Sequence, residues 1–387
     1  MNSLAPVLRG EGGGEGRISK ARPTVTHRKL RIGVVGAGHL GAIHARLLRS
    51  IDDVQLVGVA DPREEARRRV ATEAQTADFA DHRELIGKID AAIIAAPTEH
   101  HYWLGQEFAE AGIHLLVEKP LTLTVAEADA LIRTAQSRKI VLQVGHVERF
   151  NPAFTAAAVH LEKPRYIETV RASGYTGRSI DVGVVLDLMI HDIDLVLSLV
   201  RSEVVDVEAI GAVVFGPHED LAHARLRFAN GCLANLNASR TSFKPQRSMQ
   251  VFAERAYAGI DFANSTTTIV RPSEKLLRRE IDVRKMSPTE KQELQQNLFT
   301  DVLPLEQVQV EKRNAILDEQ HDFVISIRTG QNPQVTGVQA REALAVAQAI
   351  LEKIAEQQRF FSRSSGLSGP HWDLAAEHAA VRSRKAG

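Results

Sequence analysis

Leu30-Arg-Ile-Gly-Val-Val-Gly36-Ala-Gly38-His39-Leu40-Gly41 is the stretch that decides the fold. It starts as an apolar strand, Leu30–Val35, runs through G-x-G-x-x-G, and opens a segment with helical spacing, His39–Arg49. The glycine pattern alone is weak; between a strand and a helix it acquires meaning. Gly36 permits a tight turn, Gly38 lets a pyrophosphate approach the backbone, and Gly41 lets the helix pack closely on the strand. The helix start, with His39 and Leu40, then turns free N–H groups and a dipole toward phosphates. Asp61 ends the next apolar run, 20 positions after Gly41. A carboxylate there accepts hydrogen bonds from ribose hydroxyls and repels a 2′-phosphate, so NAD is expected over NADP. Arg63, two residues on, is suited to such a phosphate and belongs to the same cofactor-binding set.

Working outward, Val54–Ala60, Ala91–Ala95, Ile113–Val117 and Ile140–Val144 read as further buried strands. Between them lie helical patterns at Pro62–Glu73, His100–Ala111 and Val125–Ser137. This alternation predicts an α/β, doubly wound parallel sheet, a Rossmann domain over residues 29–147. After Gly145-His-Val-Glu-Arg-Phe-Asn-Pro the pattern changes. A helix at Pro152–His160, a strand at Tyr166–Ala172 and an apolar helix at Val182–Val200 are followed by mostly strands from Val204 to Val270. Two helices, Glu311–Arg328 and Gly337–Gln357, close the chain. The expectation for 148–362 is an α+β domain on a large, mainly antiparallel open sheet, serving substrate binding and oligomerisation. Such a sheet leaves an apolar face uncovered, which predicts a homodimer or homotetramer.

Lys+Arg and Asp+Glu are both 48, so the net charge is zero and no basic field invites nucleic acid or an anionic membrane. The longest apolar runs are too short to insert into a bilayer. The single Cys232 excludes an internal disulfide framework and fits the cytoplasm. Residues 1–28, with Gly10-Glu-Gly-Gly-Gly-Glu-Gly, read as a disordered tail without a secretory apolar core, and 363–387 as a loosely ordered one.

Two features carry chemistry. Ala96-Pro97-Thr98-Glu99-His100-His101 and Val117-Glu118-Lys119-Pro120 both follow parallel strands, at the edge where ligands bind. Pro97, Thr98, His101, Glu118 and Lys119 are therefore cofactor-side candidates, and Pro120 suits a rigid turn. In Val184-Val-Leu-Asp187-Leu-Met-Ile-His191-Asp-Ile-Asp194, polar residues at i, i+4 and i+7 share one face of an otherwise apolar helix. Buried ionisable groups are costly, so this stripe either lines a site or is satisfied internally. No companion cluster with metal-ligand spacing accompanies it, and no metal is expected.

Together the glycine-rich start, Glu118-Lys119-Pro120 and Asp187-x-x-x-His191-x-x-Asp194 resemble the Gfo/Idh/MocA oxidoreductases, from Leu30 to about Leu351. The resemblance implies a catalytic set of Lys119, Asp187 and His191. Gly145–Ala153, Thr176-Gly-Arg-Ser179 and Asn235–Arg240 resemble a bacterial branch that includes UDP-N-acetylglucosamine 3-dehydrogenases of lipid A biosynthesis. That implies oxidation of the C3 hydroxyl of a nucleotide sugar, with an aminotransferase as a downstream pathway partner. Arg149, Asn151 and Arg178, together with Asp187 and His191, are the substrate-side candidates, because arginines bind diphosphates bidentately. Which of Lys119 and His191 takes the proton stays open, as do UDP-N-acetylglucosaminuronate or a free polyol as substrate. A catalytically silent dinucleotide sensor is the alternative from another class.

Overall fold

The computed structural model describes residues 28–175, 182–215 and 217–364, so the two expected tails fall almost wholly outside the described residues. Six parallel strands, β1 (Leu30–Val35), β2 (Val54–Ala60), β3 (Ala77–Phe79), β4 (Ala91–Ile94), β5 (His114–Glu118) and β6 (Leu142–Gly145), lie in the order β3-β2-β1-β4-β5-β6. Strand order reverses between β1 and β4, which opens a crevice at their carboxyl ends. The strand β3 was not expected; its three residues, Ala-Asp-Phe, form no apolar run.

Side-chain alternation explains why these strands are apolar throughout. Ile32, Val34 and Ile93 face one layer, while Val35, Ile94 and Val117 face the other, and all are buried. Helices α1 (His39–Leu48) and α2 (Glu64–Ala74) cover the first face. Helices α3 (Thr98–Glu110) and α4 (Val125–Arg138) cover the second. Thr124 and Glu127 cap α4 reciprocally, which fixes where the chain leaves the Lys119 loop.

Beyond β6 come a short 3₁₀ turn (Val147–Phe150), α5 (Pro152–Ala158) and β7 (Pro164–Ala172). The expected continuous helix over Val182–Val200 is instead a π turn, Val185–Met189, running into α6 (Ile190–Val200). Strands β8 (Val204–Ala212), β9 (Leu221–Phe228), β10 (Leu233–Ser239), β11 (Gln246–Ala253), β12 (Tyr257–Asp261), β13 (Thr266–Val270) and β14 (Leu305–Val308) complete a sheet ordered β14-β13-β12-β11-β7-β10-β9-β8. Neighbours are antiparallel except β7 and β10, which run parallel. Two short helices absent from the sequence reading, α7 (Glu274–Leu277) and α8 (Pro288–Gln296), precede β14.

Along β10, Ala234, Leu236 and Ala238 point into a core shared with α6, while Asn235 and Asn237 alternate outward. The last helices, α9 (Ala315–Thr329) and α10 (Gly337–Ser364), tie the two sheets together. Phe323 of α9 joins the core beneath β1. In α10, Ala340 and Leu344 join the core of α4 and β6, whereas Ala343, Ala347 and Ile350 join that of the second sheet. The chain from 315 onward therefore fixes the angle at which the second sheet faces the crevice.

Candidate active site

At the crevice, backbone geometry makes the first half of the site. Gly36 has φ +100°, and a Cβ there would lie 2.5 Å from the Ala95 carbonyl oxygen. A Cβ on Gly41 would lie 1.8 Å from the Gly36 carbonyl oxygen, while Gly38 faces open space. The loop is a cradle that side chains would fill, which fits a dinucleotide's pyrophosphate. His39 and Leu40 are exposed at the start of α1.

Asp61 accepts from the Ala37 N–H at 2.8 Å, the Arg63 N–H at 2.9 Å and both arms of the Arg63 guanidinium at 3.1 and 3.0 Å. Burial alone would raise its pKa, but these donors outweigh burial and hold it below the usual carboxylate value. Beside it a cavity of about 680 Å³ is lined by Gly36, Asp61, Arg63, Pro97, His100 and Trp103. Thr98 begins α3 directly after Pro97.

His101 is buried; its Nδ1 meets the Pro120 carbonyl at 2.9 Å and its Nε2 the Ala96 carbonyl at 2.8 Å. It braces the two ligand-edge loops against each other. Glu118 turns inward to His44 Nε2 at 2.8 Å, and its other oxygen accepts the Lys119 N–H at 3.3 Å. Gln320 donates to His44 Nδ1 at 2.9 Å, and Glu319 lies alongside with both oxygens unpartnered. His44, Glu118 and Glu319 thus bring three potential ligand atoms within 4.8 Å. Sequence reasoning missed this trio, because Glu319 arrives from a helix two hundred residues away with no motif around it.

The second half of the site comes from the π turn. There the Ile190 N–H reaches back five residues to the Val185 carbonyl, and the Val185 N–H is taken by Glu219 at 3.0 Å. Such widened turns concentrate at functional sites. Lys119, on a cis Lys119–Pro120 peptide, sends its Nζ to the Asp187 carbonyl at 2.7 Å and Asp187 Oδ1 at 3.1 Å. One turn on, burial and the charges of Lys119, Arg171, His146 and Arg247 push the His191 imidazole well below its ordinary pKa. The structure therefore brings Lys119 against Asp187, with His191 one helical turn on and within reach of the Lys119 charge.

The other expected residues are engaged elsewhere. Arg149 pairs with Asp194 at 3.4 Å and donates to the Gln334 carbonyl at 3.2 Å, away from Lys119. Asn151 caps α5 and donates to Glu148 at 2.9 Å. Arg178 lies outside the described residues. Behind His191 a buried charge cluster was also missed: Arg171 spans Asp192 at 2.8 Å and Glu148 at 3.0 Å, and Arg247 also reaches Glu148. An aspartate inside an apolar helix, opposite an arginine in an alternating strand, was the available signal.

Residues 30–146 match the oxidoreductase family with an NAD-binding Rossmann fold, and residues 154–258 match the GFO/IDH/MocA C-terminal domain. The UDP-N-acetylglucosamine 3-dehydrogenase of Acidithiobacillus ferrooxidans is 37% identical over 319 residues, covering 82% of this chain and 95% of that protein.

The chain belongs to the Gfo/Idh/MocA oxidoreductase family.

Other relatives extend the comparison. The myo-inositol 2-dehydrogenase of Thermotoga maritima is 26% identical over 85% of this chain and 97% of its own length. The solved structure of the Acidithiobacillus ferrooxidans enzyme superposes with a TM-score of 0.74, at 35% identity over 85% of this chain and 99% of that one. Levoglucosan dehydrogenase in complex with NADH and levoglucosan, at 16% identity and a TM-score of 0.71, shares the fold. This Gfo/Idh/MocA chain is thus an NAD-binding dehydrogenase, with a glycine cradle on the first sheet's edge and a Lys119–Asp187 pair joining that edge to the π turn.

Proposed function

We propose that this chain oxidises a sugar ring hydroxyl with NAD, the C3 hydroxyl of UDP-N-acetylglucosamine. The observation that carries the reading is the Lys119 ammonium. Of its three N–H donors, two are spent on Asp187. The third remains for the oxygen of a reacting hydroxyl. The substrate itself is argued from the 37% identical relative, whose length this chain spans almost completely.

When bound, NAD supplies the two-electron acceptor for the carbinol hydrogen, which leaves the hydroxyl proton to the protein. Asp187 anchors Lys119, so the ammonium is already oriented where oxygen gains negative charge. His191 is neutral at working pH for the reasons given above, and it is the group suited to accept the proton. That assigns stabilisation to Lys119 and proton acceptance to His191, the choice that sequence left open. Arg149 and Asn151 have internal partners, so of the three expected residues diphosphate recognition would fall to Arg178.

The product, a 3-keto nucleotide sugar, is what an aminotransferase would convert into an amino sugar for lipid A. The outer face of the second sheet exposes Phe252 and Leu305 over a groove of about 930 Å³, which supports a homodimer or homotetramer. No helix among the described residues is long and apolar enough to cross a membrane. The buried thiol of Cys232 supports a cytoplasmic location.

Protein mixed with NAD and UDP-N-acetylglucosamine is expected to build up the absorbance of reduced nicotinamide. A signal only with the uronate or a free polyol would reassign the substrate. Silence with every sugar, while NAD still binds, would leave a dinucleotide sensor.

A further inference from the structure

Behind the cleft, four buried polar atoms lack partners among the described residues: Nδ1 of His191, Nδ1 and Nε2 of His146, and Oδ2 of Asp194. Buried polar groups are otherwise almost always satisfied, so such a set calls for a reason. His146 follows β6 directly, and its ring is 1% exposed. It stands edge-on to His191, with ring centroids 6.4 Å apart and planes at 89°, a span that a relay would cross through one water. Asp194 follows His191 by one turn of α6, and its other oxygen meets Arg149 at 3.4 Å. Asp194 and Arg149 also line a cavity of about 310 Å³, with Ser198, Arg201, Gln339 and Glu342 on its walls. The groups therefore lead from the cleft along one face of α6 to a second opening toward its C-terminal end.

We propose that His146 and Asp194 form a relay that carries the hydroxyl proton from His191 to this second opening. The proposal rests on His191 being the proton acceptor. Oxidation sends the carbinol hydrogen and two electrons to the nicotinamide and leaves one proton on His191. That proton passes to His146, then to the Asp194 carboxylate, and leaves at the cavity; reduction runs the same path backwards. The relay releases the proton without opening the cleft over bound substrate.

The electrostatics agree with the direction. Burial first, then Lys119, Arg171, His146 and Arg247, hold His191 well below its ordinary pKa, so a proton there does not stay. His146 is also lowered, first by burial and further by Lys119 and Arg149, but Asp194 and Glu118 oppose the shift.

The test is His146→Gln, which keeps a polar side chain but cannot carry a proton. Affinity for NAD and KM for the sugar should stay near the parent values. Turnover should fall about 10²-fold, and its solvent deuterium effect should rise. In His146→Ala, free imidazole should restore turnover by filling the place of the lost ring. Unchanged turnover and isotope effect in His146→Gln would overturn the relay, as would a loss in His146→Ala that imidazole does not repair. A second reading needs no activity. In histidine-labelled protein without ligands, His146→Gln should raise the pH at which His191 titrates, and an unmoved His191 would refute the coupling. If the parent enzyme oxidises no sugar, the functional reading fails while this titration still decides the relay.

Discussion

The cofactor loop and the seam between the crevice's two walls treat polar groups in opposite ways. On the first sheet's edge the cofactor loop is well paired: Asp61 takes two backbone N–H groups and both arms of Arg63. Where the two walls meet, a seam through His191 and Asp194 of α6 and His146 at the end of β6 leaves buried atoms without partners among the described residues. Saturated hydrogen bonding makes a rigid mould suited to holding an invariant cofactor. Open, buried titratable groups suit a seam where protons change hands. The two should therefore fail differently when altered.

Lys119 reaches from one wall to the other, so its loss should produce the largest effect. Lys119→Ala removes the donor beside the reacting oxygen and should lower kcat about 10³-fold, with NAD affinity retained. Isothermal binding of NAD alongside steady-state turnover checks both halves. A variant that lost NAD affinity instead would show that Lys119 belongs to the mould.

His191 sharpens the contrast through pH. The neutral imidazole is the working form and is lost only as pH falls through its depressed pKa. The acid limb of kcat/KM should therefore lie below histidine's ordinary range, with a plateau through neutrality. An inflection at or above that range would mean that His191 is not the acceptor. His191→Asn should cost about 10²-fold in kcat and abolish the limb.

On the mould side, Asp61→Asn keeps an acceptor for the Ala37 N–H but removes the charge and releases Arg63. The ratio of kcat/KM for NAD over NADP should drop about 30-fold, or ~2 kcal/mol. An unchanged ratio would show that Arg63, not Asp61, already sets cofactor choice.

The mould was also the legible wall. Gly36, Gly38, Gly41 and Asp61 act through local backbone geometry, and local geometry is written in local spacing. The same holds for Asp187 and His191, four apart in one segment. Three things stayed hidden. The π turn arises because Glu219 takes the Val185 N–H and Lys119 the Asp187 carbonyl, and both partners are distant in sequence. Arg149 looked like a phosphate ligand because sequence does not reveal that Asp194 claims it. Glu319 carries no motif, since only the return of α9 to the first sheet brings it under Glu118.

Glu319 gives the smallest and most discriminating test. Its carboxyl is pushed well above the ordinary glutamate value, by burial first and then by the charges of Glu118 and Asp322. It therefore stays protonated in the fold while the unfolded chain ionises it. A raised carboxyl pKa costs stability once pH exceeds the unfolded value, and the cost grows until the folded pKa is reached. Glu319→Gln should leave Tm unchanged in acid and raise it by about 3 °C at neutral and alkaline pH. The opposite outcome, a Tm lowered most at high pH, would mean that Glu319 is ionised in the fold. A cation shared with His44 and Glu118 would then be holding the trio together, and the rigid wall would depend on that ion for its rigidity.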